Sequence, residues 1–255
     1  MKKLASIIFA FLLIISCSED NDDTVTQVNT TFNFTHKWDG TSVSNTNFNT
    51  IQYTNENGEQ LSITKLRYLI SKITFQKSNG EKIILDGYNL VDVTNDSNLS
   101  FTPTSPIPSG NYSHVYFTFG FDNDDNYNNN YQDLNSTSWS VPAMLGGGYH
   151  FMQLEGKFID NTATETGYAY HAIRAVDISK TPKEFQDTFF EVDLGAASIE
   201  KDTTFNIEMN IAEWFKNPNT WNLNALNNAL MPNFNAQVMM FENGQHVFSL
   251  KSVTP

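Results

Sequence analysis

Imidazole is the side chain that changes charge near neutral pH, and it is the commonest metal ligand. The chain carries five histidines, so the search for chemistry starts with them. Three lie in alternating runs that read as strands. His36 continues the face of Phe32, Phe34 and Trp38 in "TTFNFTHKW". His150 alternates with Met152 and Leu154, and His171 with Ala169 and Ile173. Residues two apart on a strand share a face, so all three rings are expected on apolar faces. One such histidine is ordinarily a packed residue with a hydrogen-bond partner. Three point further: each neutral ring buried without a partner costs free energy, and one shared metal ion would satisfy them all. His114 differs. It shares a face with Tyr112, Tyr116 and Thr118, opposite Val115, Phe117 and Phe119, and is expected outside such a shell. His246, on the face of Phe248 and Leu250 near the chain end, stays ambiguous.

The approach to His150 is unusual in composition. In "MLGGGYHFMQLEGKF", Gly146, Gly147 and Gly148 run straight into Tyr149 and His150. Glycine permits turns that a Cβ would forbid, so the run can deliver His150 to a strand mouth. Thioethers suit cuprous copper, which makes Met144 a candidate weak ligand, whereas Met152 reads as core filling. The stretch "DNDDNYNNNYQD", from Asp122 to Asp133, has carboxylates and amides at calcium-loop spacing. It places Tyr127 where an EF-hand needs glycine and Asp133 where it needs glutamate, so it is expected to be a polar loop at the rim of the strands. There is no G-x-S-x-G elbow, P-loop, G-x-G-x-x-G or H-E-x-x-H. A binding protein is expected, not an enzyme. Without C-x-x-C-H the chain cannot attach a c-type haem, so any haem must come from a partner.

The elements that position these residues are short strands. "GEQLSITKLRYLISKITFQKSNGEKIILDG" reads as strands closed by an "SNGE" turn. "NYSHVYFTFGF" alternates, and "YHFMQLEGKF" and "GYAYHAIRAVDI" flank the turn-like "DNTATETG" as a hairpin. "FFEVDL", "TTFNIEMNI" and "HVFSLKSV" complete the set, with helix confined to "IAEWF" and part of "NLNALNNALM". Twenty Phe and ten Tyr provide large strand-favouring core pieces. The expected fold is all-β: one antiparallel β-sandwich with short helical insertions.

The first residues set the compartment. "MKKLASIIFAFLLIISC" has two lysines, a short apolar run and then Cys17, the single cysteine of the chain. Those are the parts of a signal peptide, residues 1–16, and "IISC" is similar to a relaxed lipobox. Cys17 is then the lipidation site and the attachment to the membrane. Residues 17–29 read as an acidic tether, with "SEDNDD" similar to the export signal of surface lipoproteins in Bacteroidetes, and 30–255 as the folded domain. The expected location is the cell envelope, as an outer-membrane lipoprotein facing the periplasm or the medium. Removing the two leader lysines leaves 13 basic against 28 acidic residues, a net charge of −15. Such a balance repels nucleic acid.

"FNFTHKWDG", "LSITKLRYLISKITF", "PSGNYSHVYFTFGFD", "GGYHFMQLEGKF" and "YHAI" resemble, in that order, the landmarks of the MbnP-like copper-binding proteins. The resemblance spans roughly residues 30–252, and "LRYLIS" and "GGYHFMQLEG" are its specific parts. It implies a sandwich-like fold and one copper ion held by histidines, with His36, His150 and His171 at the matching positions. It also implies a partner, a MauG-like di-haem cytochrome c peroxidase family protein, which in some members oxidises a tryptophan near the copper to kynurenine. Trp139 is the nearest candidate and Trp38 the second. Some members have a four-cysteine pattern, which this chain lacks. A different reading has the histidines structural, and Tyr127 and Tyr131 as an exposed platform for glycan or protein ligands.

Overall fold

The structure is a computed structural model and describes residues 26–255. Cys17, the leader and most of the tether lie outside the described residues. Ordered pairing begins slightly before the expected boundary, because Gln27–Val28 pairs with Ile107–Pro108.

Two sheets face each other across an aromatic core. The larger is built on β2 (Lys65–Gln76), which pairs β3 (Tyr88–Asp92), β4 (His114–Phe119) and β5 (Met152–Ile159), all antiparallel. β6 (Glu165–Ala172) adds to β5 as the expected hairpin, and β7 (Phe190–Asp193) adds to β4. The smaller sheet contains β1 (Thr30–Trp38), β8 (Thr203–Asn210) and β9 (Phe248–Thr254). β9 is antiparallel to β8, but β8 runs parallel to β1, from Thr30↔Thr203 to Lys37↔Asn210. This parallel pair is the exception in a sandwich that is otherwise antiparallel among the described strands, as expected. Parallel strands need a long crossover, and here the entire larger sheet supplies it.

Alternation explains which residues hold the layers together. Phe32, Phe34, His36 and Trp38 of β1 point inward, as their spacing requires. Between the sheets, Phe34 meets Tyr68 at 6.1 Å and Phe117 at 5.9 Å, centroid to centroid. Phe117 also meets Phe248 at 5.4 Å. These are edge-on contacts, the favoured geometry for aromatic pairs.

"IAEWF" is helical, as a 3-10 turn over Ile211–Phe215. The expected helix in "NLNALNNALM" is absent. Its asparagines bond locally instead: Asn224 donates its backbone N–H to Asn222 Oδ1 at 2.9 Å and its amide to Glu59 at 3.0 Å. Short amide side chains compete with helix in this way. The helix comes later, as α1 (Phe234–Gly244), capped by the Asn233 side chain on Ala236 N–H.

Candidate metal centre

The three glycines earn their place by close approach as well as by dihedral. Gly146, Gly147 and Gly148 have φ of +100°, +73° and +77°, values that side chains with a Cβ rarely adopt. A Cβ on Gly147 would collide with Asn128, and one on Gly148 with Asn126. Asn128 Oδ1 accepts from Gly148 N–H and Asn126 Oδ1 from Tyr149 N–H, both at 2.8 Å. The loop from Asp122 to Asp133 is thus a clamp on the glycine run. Three of its four carboxylates are engaged elsewhere: Asp122 and Asp125 pair with Lys72, and Asp133 accepts from the Tyr88 hydroxyl at 2.6 Å.

The clamp delivers His150 against Trp139. Both the backbone N–H and Nδ1 of His150 donate to the Trp139 carbonyl, each at 2.9 Å. A carbonyl only accepts, so Nδ1 carries the proton and Nε2 holds the lone pair. That Nε2 is buried and has no hydrogen-bond partner. Burial, the largest cause, pushes the His150 pKa down to about 4, which keeps the ring neutral. The Trp139 indole stands 5.8 Å from the His150 ring, fully buried, and its Nε1 is also unpartnered. Arg67 lies over the indole ring, its guanidinium 5.1 Å from the centroid. Arg67 in turn donates to Gln153 Oε1 at 2.9 and 2.7 Å and to the Thr137 carbonyl at 3.0 Å.

His171 completes the group, though not on the expected face. Tyr168, Tyr170 and Ala172 of β6 turn into the core. His171 points the other way, opposite Gln153 in the ladder. His150 joins it because the backbone bends at Phe151. Phe151 and Met152 are both fully buried, so the alternation from His150 to Met152 and Leu154 is broken. The two imidazoles stand 5.2 Å apart at 83°. His171 Nε2 lies 2.9 Å from Glu155 Oε1, which also takes Lys65 Nζ at 2.8 Å. The bond from His171, followed by Lys65, holds the Glu155 carboxyl down at about 2. Gln237 of α1 fixes the backbone on either side, donating to His171 O and accepting from Ile173 N–H, each at 2.8 Å.

His36 does not join this pair. It is buried on β1, with Nε2 3.0 Å from the Tyr68 hydroxyl, and burial lowers its pKa to about 4. Tyr68 faces the core from β2 and His171 faces outward from the same sheet, so the sheet itself separates His36 from the pair. Among the described residues no three His, Cys, Asp or Glu side chains are placed to hold a metal. His114 is exposed and bonds Asp193 at 2.8 Å, and His246 is exposed. Met144 is 67% exposed. Trp38 stacks on Tyr53 at 4.9 Å and donates to the Thr54 carbonyl. Tyr131 packs into Tyr88, Phe121 and Tyr149, which leaves only Tyr127 of the expected platform truly exposed. Arg67, Gln153, Glu155 and Gln237 were not legible as site residues. The one signal was the polar alternation Gln153, Glu155, Lys157 along β5.

The paired imidazoles and the buried indole are carried on an all-β sandwich. The MbnP family profile matches residues 27–240, and the chain belongs to the MbnP family. Among solved structures it is similar to MbnP from Methylosinus trichosporium, with 12% identity and a TM-score of 0.47 over 75% of this chain and 78% of that one. That likeness is too remote for any residue to be carried across. No curated protein matches the chain.

Proposed function

We propose that the protein binds one copper ion through His150 and His171, beside Trp139. The observation that carries this reading is the buried, unpartnered Nε2 of His150, on a ring whose centroid stands 5.2 Å from that of His171. A lone pair buried without a donor is costly, and a metal ion removes that cost. Imidazole suits copper, and such a site holds Cu(II) more tightly than Zn(II). Copper bound there would supply a one-electron couple next to a buried indole. Family membership supports the copper association, and two protein nitrogens leave positions open for exchange.

The same reading makes the protein a carrier or redox partner in the envelope, not an enzyme. Trp139 is the residue that a MauG-like di-haem partner would oxidise; it is fully buried, so electrons and not surface contact must reach it. Cys17 would carry the lipid that holds the domain at the outer membrane. Metal analysis of protein purified from copper-supplemented cells is the test. One copper per chain is expected. Metal-free protein that instead captures glycans on an array would support the platform reading.

A further inference from the structure

The two imidazoles of the pair are oriented by different groups, and at different nitrogens. The backbone carbonyl of Trp139 fixes His150 through Nδ1. The carboxylate of Glu155 fixes His171 through Nε2, and an ionised carboxylate, like a carbonyl, can only accept. Each contact therefore assigns a tautomer: Nδ1–H in His150 and Nε2–H in neutral His171. The lone pairs are left on opposite atoms, Nε2 of the first ring and Nδ1 of the second. Lys65 Nζ donates to the same oxygen, Glu155 Oε1, at 2.8 Å, so that oxygen is held by two partners.

Resting on the copper reading above, we propose that the metal is held asymmetrically, by His150 Nε2 and His171 Nδ1, with Glu155 as the positioning residue that enforces the second choice. A hydrogen bond to the non-ligating nitrogen fixes both tautomer and ring orientation, and removing such a partner commonly weakens metal binding by about 10–100-fold. Glu155 itself would not touch the metal. It acts through His171.

Long-range proton–nitrogen NMR on protein carrying 15N-labelled histidine tests this without any activity assay. In metal-free protein, His150 should show a protonated Nδ1 and His171 a protonated Nε2. Adding Cu(I), or Ag(I) as its diamagnetic stand-in, should move the resonances of His150 Nε2 and His171 Nδ1. Movement of His171 Nε2 instead would overturn the proposal while leaving copper at the pair. Movement at neither ring would remove the copper reading itself, and the inference with it. Glu155→Leu should redistribute the His171 tautomers and cut Cu(I) affinity about 10–100-fold. Glu155→Gln, which keeps an acceptor oxygen, should retain the tautomer and recover most of the affinity. Unchanged tautomers in Glu155→Leu would show that Glu155 does not set them.

Discussion

His36 and His150 share a property that their roles do not: burial lowers both to about 4 from an unfolded value near 6.5. A group whose folded pKa is depressed contributes its stability above the unfolded pKa, and loses it as pH falls toward the folded one. Between about pH 6.5 and 4, then, the unfolded chain takes up protons that the folded chain refuses. Metal-free protein should lose about 1.4 kcal/mol of stability per pH unit for each of the two rings in that window. Urea denaturation at pH 7 and pH 5 measures the loss directly, and a flat profile would show that the rings are hydrated. Residue type and spacing were enough to single out His36 and His150 as buried. They were not enough to pair them, because which sheet face a ring occupies depends on what the backbone does between. A bend at Phe151 turned one ring, and His171 lay on the opposite face from the one its neighbours suggested.

At the level of elements, the strands were readable wherever one face is apolar and the other polar, as in β1, β4 and the β5–β6 hairpin. Phe117 is fully buried between the sheets, and replacing it with Ala should cost about 3 to 5 kcal/mol, read as a lower urea midpoint. What could not be read is long-range: the parallel partnership of β1 and β8 joins segments from opposite ends of the chain. The displaced helix had a local cause, since asparagines that count as neutral in a pattern bond their own backbone in space. The glycine run was read for its flexibility, whereas the structure adds contact with Asn126 and Asn128. Gly148→Ala should therefore strain both φ and packing and cost about 1 to 3 kcal/mol. It should also loosen copper retention by shifting His150, whereas Gly58→Ala, at a positive φ with open space around it, should leave retention unchanged. Equal effects of the two substitutions on copper would show that the clamp does not place the ring.

For the molecule as a whole, an aromatic sandwich carries a small polar group on the outside of one sheet, braced by a loop on one flank and a helix on the other. The chain carries a formal net charge of −13, a balance that repels other anionic surfaces. If Cys17 is the lipid anchor, Cys17→Ser should move the protein from the membrane to the soluble fraction, and an unchanged distribution would contradict it. On the proposed reading, copper sits with His150 and His171, and His36 belongs to the core. Copper-to-protein ratios by elemental analysis, for the wild type and for His36→Ala, His114→Ala, His150→Ala and His171→Ala, decide between these placements. One copper per chain should survive in the first two variants and vanish in the last two. Loss of copper in folded His36→Ala, or its retention in both His150→Ala and His171→Ala, would place the metal elsewhere.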